Sequence, residues 1–131
     1  MTDLDQLFKY RLEQADSTLS DAKKMLAQNI GPRSIVNRCY YAMFYATIAL
    51  FLKSGITITT SKHSGIIGTF DVEFILTERI EKKYSKMLHR MFDKRQEFDY
   101  RELTMVTLQD AQNALFTAEE FIAKIKGFLE L

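Results

Sequence analysis

The 131-residue chain has no tryptophan, one cysteine, one proline and five glycines, and each shortage removes a class of protein. A lone cysteine, Cys39, has no partner for an intramolecular disulfide or a thiolate metal cluster, which suits a reducing cytoplasm. It lies inside an apolar run and is expected to be a buried, unreactive thiol. So few prolines and glycines cannot supply the many tight turns of an all-β protein, and helices are expected instead. The formal net charge of +1 excludes the global field of a generic polyanion binder, while leaving room for a local basic face. The opening MTDLDQLFKYRLEQ is charged and lacks the apolar centre of a signal peptide, so a cytoplasmic protein is expected.

What is present is an uninterrupted series of helical patterns in a length that suits one domain, residues 1–131. Phe8, Leu12, Ala15, Leu19, Ala22 and Leu26 recur at steps of four and three, which predicts a first helix over about 3–28 with one buried stripe. Asn29 and Gly31 suit its C-terminal cap, and Pro32 suits the first turn of a second helix over about 32–53. The segment CYYAMFYATIALFL is apolar in nearly every direction, as in a helix surrounded by neighbours. At about 21 Å of helix against about 30 Å of hydrocarbon, it reads as a core helix and not a membrane span.

The β-branched ITITTSKHSG predicts an extended connector, with Ser61 or Ser64 capping a short helix through SGIIGTF. Thr77 is expected to open the next helix, with Ile80, Tyr84, Met87, Met91 and Phe98 on its apolar stripe. Arg79, Lys83, Lys86, Arg90 and Lys94 form a basic stripe that is, by default, a solvated face. Between positions 79 and 101 there are eight Lys or Arg against four Asp or Glu, a local excess that the near-neutral total conceals. A last helix carries Leu108, Ala111, Leu115, Ala118, Ile122, Ile125 and Leu129 in a heptad-like seam. The fold class implied is all-α, an antiparallel bundle of four or five helices.

One residue breaks the pattern. In MFDKRQEFDY, Arg95 falls in line with Tyr84, Met87, Met91 and Phe98, so a guanidinium is placed where an apolar side chain is due. It cannot discharge, and burying it unpaired costs several kcal/mol. It therefore needs a carboxylate, for which Asp99 is one turn on, a ligand anion such as phosphate, or a wet cleft. Tyr100 follows at the end of the helix, either packing over it or pointing into a groove.

The segments NRCYYAMFYATIALFLKSG, SKHSGIIGTF and RMFDKRQEFDY, in this order and spacing, resemble the HEPN-domain proteins, small helical bundles named for higher eukaryotes and prokaryotes nucleotide-binding. The resemblance covers about residues 5–130. It implies a HEPN-like bundle, a homodimer, and in prokaryotic single-domain members a small nucleotidyltransferase partner in a toxin–antitoxin arrangement. Many members are metal-independent ribonucleases with an arginine, four to six residues, then a histidine. Here Arg95 matches the arginine, but Tyr100 stands where the histidine would be. A tyrosine, with a pKa of about 10, is a poor general base at neutral pH. In some members the partner transfers a nucleotidyl group to a motif tyrosine, which makes Tyr100 a candidate acceptor.

Around this motif the sequence offers further contacts for phosphate or a base. His63 and Lys62 are expected at the N-terminus of the short helix, where unpaired N–H groups favour anions. Arg38, Tyr41 and Tyr45 share one face of the second helix, either packing there or presenting a stacking surface for RNA. His89 is expected toward solvent. No metal-ligand spacing, cofactor loop or nucleophile motif is present. Three readings follow: a nucleotidyltransferase partner binding nucleotide or RNA; a ribonuclease using Arg95, Asp99, Tyr100 or His63; and a structural bundle in which Arg95 and Asp99 only order a helix.

Overall fold

Thr2 and Asp5 form a reciprocal capping box, each side chain accepting the other's backbone N–H at 3.1 Å. This opens α1 (Asp3–Ala27) in the computed structural model, which describes residues 2–100 and 104–131 and, of Tyr100, the backbone alone. Phe8, Ala15 and Ala22 of the expected stripe are buried. The helix ends at a turn in which Asn29 and Gly31 have positive φ, 54° and 58°; at Gly31 a side chain would be strained. Pro32 then begins α2 (Pro32–Lys53), with no N–H to leave unpaired. So short a link makes α1 and α2 antiparallel neighbours.

Helix α2 is the centre of the bundle, packed against α1 and against the two long helices that follow it, Lys82–Tyr100 and Leu108–Phe128. At 22 residues it is the one helix among the described residues long and apolar enough to cross a membrane, so length does not decide its character. Burial does: Ile35, Cys39, Tyr40, Ala46, Leu50 and Phe51 are all fully enclosed by protein. The same burial pushes the Cys39 thiol up to about 12, away from the reactive thiolate.

The connector after Gly55 has no regular structure and leads into α3 (His63–Phe70). Neither Ser61 nor Ser64 caps it. The capping position is Lys62, extended and without a side-chain cap, and Ser64 is already helical. Helix α3 continues into a π-helical turn, Asp71–Ile75, whose Phe74 stacks on Phe51 at 6.2 Å.

Helix α4 spans Lys82–Tyr100, and Thr77 does not start it. The Thr77 hydroxyl donates backward to the Glu73 carbonyl at 2.8 Å, and Glu78 has φ of 61°, so the chain turns here before the helix begins. Arg79 accordingly lies off the basic stripe, its guanidinium covering the rings of Phe74 and Phe128 at 4.8 and 5.4 Å. The buried stripe of α4 is Tyr84, Leu88, Met91 and Phe98; Leu88 is fully buried while Met87 stays half-buried at the edge. Asp71 accepts from Ser85 and pairs with His89, each at 2.6 Å, pinning α4 to the π turn and leaving His89 half-exposed.

Thr107 and Asp110 repeat the capping box at α5 (Leu108–Phe128). Ala111, Ala118, Ile122 and Ile125 are buried as the seam predicts, together with Ala114 and Phe121, whereas Leu108 is 40% exposed. The architecture is an all-α helical bundle, and the described residues contain no strand.

Candidate functional site: the Arg95 cleft

On its inner stripe α4 presents Arg95 between Met91 and Phe98, with 15% of the side chain exposed. Its Nη2 donates to the Tyr41 hydroxyl at 2.9 Å. Its Nε lies 2.9 Å from Asp99 Oδ2 in an ion pair one turn along the helix. That N–H is not aligned on the oxygen, so the buried Nε has an ionic partner but no hydrogen-bond acceptor. Among the described residues Nη1 has no protein acceptor either. The charge is braced against the rings of Tyr40 and Tyr41, 5.5 and 5.3 Å from the guanidinium carbon. Because the Tyr41 oxygen accepts from Arg95, its own O–H remains able to donate.

Facing Arg95 is the start of α3. His63 stacks on Phe44 with ring centroids 4.1 Å apart, and its Nδ1 lies 2.8 Å from the Tyr40 hydroxyl. Burial holds the Tyr40 phenol above its ordinary range, so it stays protonated. Burial, and then the nearby Arg95 charge, push His63 below its ordinary value, so the imidazole is neutral at neutral pH. The Tyr40 proton has no other acceptor among the described residues. Tyr40 therefore donates to Nδ1, which puts the ring proton on Nε2 and makes His63 a donor on its far side.

Gly65 allows this arrangement. A Cβ there would stand 2.5 Å from the Thr60 side chain, whose hydroxyl accepts the Lys62 backbone N–H at 3.1 Å. The glycine in SKHSG thus lets the connector close down on α3 and fix Lys62 and His63.

Tyr41, Lys62, His63 and Arg95 line one open concavity of about 320 Å³, together with Ser64, Phe92 and Gln96. Arg38 and Tyr45 lie to either side. Arg38 lines an adjoining hollow with Asn37 and Asp99, its guanidinium 5.8 Å from the Tyr41 ring. Tyr45 meets Tyr41 at 6.0 Å and touches Arg11 of α1 at 5.8 Å, without facing Arg95. The Tyr100 side chain falls outside the described residues. Helical spacing alone could not reveal Tyr40, which looks like core yet orients His63, or Arg11, which extends the aromatic strip from another helix. Among the described residues no three His, Cys, Asp or Glu side chains gather to hold a metal ion.

Residues 8–128 match the sequence profile of the HEPN domain. The chain belongs to the HEPN family. A UPF0332 protein of Thermotoga maritima is 35% identical over 130 residues, covering 99% of this chain and 96% of that one. A Methanocaldococcus jannaschii protein named as a candidate toxin is 30% identical over 128 residues, covering 98% and 92%. A second candidate toxin of the same organism is 32% identical over 94 residues, 72% of this chain and 63% of that relative. In this HEPN domain the histidine beside the arginine is His63, contributed by α3 and not by the stretch that follows Arg95.

Proposed function

We propose that this HEPN domain is one component of a two-component, toxin–antitoxin-like module with a small nucleotidyltransferase, and that it binds nucleotide or RNA phosphate at a cleft centred on Arg95 and shared between two copies of the chain. The observation that carries the reading is the inward guanidinium: Asp99 and Tyr41 restrain it, yet among the described residues nothing takes up the Nη1 donors, which are left for an anion. An arginine fork suits phosphate oxygens, and the Tyr41 hydroxyl and Lys62 stand on the same surface. The toxin names of two relatives support the module. Exposed Leu4, Leu7 and Tyr10 on α1 supply apolar surface for self-association. The test is titration of labelled single-stranded RNA and ATP onto the protein, with co-purification against a small nucleotidyltransferase, should a neighbouring gene encode one. Arg95→Ala is expected to abolish ligand binding; unchanged binding would refute the cleft.

A second reading, a metal-independent endoribonuclease, is favoured by His63 beside Arg95, because it restores the histidine that the Arg95–Tyr100 segment lacks. Arg95 would stabilise charge on the scissile phosphate while His63, Asp99 or Tyr100 moves protons. Cleavage of mixed RNA that survives a chelator and is lost in His63→Gln is its signature. In the third reading, a structural bundle, Arg95→Ala lowers stability and changes nothing else.

A further inference from the structure

On the α5 side of α4, about a quarter of a turn around the helix from Arg95, runs a second concave surface, a groove of about 340 Å³ between α4 and α5, which the phosphate chemistry proposed above does not use. Its lining on α4 extends from Lys83 to Lys94, ~16 Å of helix. The floor is apolar: Met87 and Met91 from α4 and Ala114 from α5. One rim carries Lys86, Arg90 and Lys94, all exposed and successive at four-residue steps, ~6 Å apart along the axis. Among the described residues none of the three has an ion-pair partner. The carboxylate in the groove, Asp110, already accepts the Thr107 backbone N–H at 3.0 Å. One end is closed by the Lys83–Glu120 pair at 3.0 Å.

We propose that this groove docks an amphipathic helix with an acidic flank, supplied by a partner protein. The argument is charge complementarity over an apolar floor. A helix whose apolar residues recur at three and four would press them onto Met87, Met91 and Ala114, and carboxylates one turn apart on its flank would meet Lys86, Arg90 and Lys94 in register. Thioether side chains adapt to differing apolar partners, which suits a docking floor. RNA fits less well. The described lining contains no aromatic ring on which a base could stack, and the floor would gain nothing from a charged backbone. The two surfaces of α4 thus divide the work, one for phosphate and one for protein, and the groove stands whether or not the Arg95 cleft binds anything.

The test is fluorescence titration of the purified full chain with a labelled helical peptide of about 16 residues, leucine along one face and glutamate on its flank. Saturable binding is expected, weakened about tenfold or more by K86E/R90E and unchanged by Arg95→Ala. Methyl signals of Met87, Met91 and Ala114 are expected to shift. Both rim positions are exposed, and a far-ultraviolet spectrum identical to wild type confirms that the double variant folds. No binding at ~1 mM peptide, equal binding to K86E/R90E, or equal binding of a peptide with lysine in place of glutamate overturns the proposal. So does poly(U) shifting the same methyl signals more strongly than the peptide, which would make the groove a nucleic-acid track. Self-association that depends on Arg90, with no peptide binding, would assign it to a second copy of the chain.

Discussion

On the α2 side of helix α4 Arg95 keeps 15% of its side chain exposed, whereas on the α5 side Lys83 keeps 60%. Both belong to one helix and both have carboxylate partners, but they answer different problems. Lys83 loses little solvation and pairs across to Glu120 at low cost. Arg95 has given up most of its water, so the site supplies an ion pair, a phenol and two ring faces in return. A charge that costs that much to place constrains its surroundings, and those surroundings are where a ligand anion would be felt most strongly. A charge on the wet side can be exchanged freely, and its value lies in whom it attracts.

Leu88 lies on the buried stripe that supports both surfaces and is fully enclosed. Leu88→Ala is expected to cost about 2–5 kcal/mol in urea unfolding and to weaken binding at both surfaces together. If one surface survives intact, they are less dependent on the common core than the packing implies. Arg95→Ala should separate them. Phosphate-ligand binding is expected to vanish while the groove is untouched, with a stability cost of about 1–2 kcal/mol, since Asp99 loses its ion pair but stays partly solvated. A loss of stability alone, with ligand affinity retained, would return Arg95 to a purely structural role.

That Arg95 lies inside was legible in the sequence, because one charged residue in an otherwise apolar periodicity is hard to mistake. The helices and their order were legible from the apolar pattern as well: α1 and α5 each carry a long stripe of one period, and α2 is apolar in nearly every direction. The start of α4 was not. Thr77 resembles a cap, but its hydroxyl bonds backward, and the left-handed Glu78 delays the helix to Lys82. That delay removed Arg79 from the basic stripe and helped obscure Leu88 as a core residue. The Tyr40–His63 pair was also hidden, since the two are 23 residues apart and only packing joins them. A tyrosine in the middle of an apolar run gives no sign that its hydroxyl has a partner.

This pair sharpens the comparison from the cleft side. Tyr40→Phe removes the proton donated to His63 Nδ1 and is expected to cost about 1 kcal/mol, with cleft binding weakened a few-fold as the imidazole loses its fixed tautomer. Protonation of His63 supplies a pH dependence whose sign can be stated. Its folded pKa lies below the ordinary value of about 6.5, so between the two the unfolded chain holds more protons than the native one. Stability from this group is complete above about 6.5 and declines as the pH falls through the lowered folded value. Arg95 is the charged group that adds to the effect. Urea unfolding at pH 7.5 and pH 5 is expected to show a smaller acid loss in His63→Gln than in wild type. The Asp5 and Glu81 carboxyls, also held below their ordinary range, are common to both proteins and cancel in the difference.

The smallest expected effect is the most discriminating. Arg90 is exposed, has no ion-pair partner among the described residues, and stands over the groove with its charge directed to solvent. Arg90→Glu should therefore change stability by no more than about 0.5 kcal/mol, within the range of ordinary surface substitutions. It should leave phosphate binding at Arg95 intact at ordinary salt, because a charge on the far side of the helix is screened over about 8 Å. If Arg90→Glu weakened RNA binding as much as Arg95→Ala does, the two sides of α4 would form one continuous anion track. The difference in their chemistry, aromatic rings on one side and thioethers on the other, would then need another explanation.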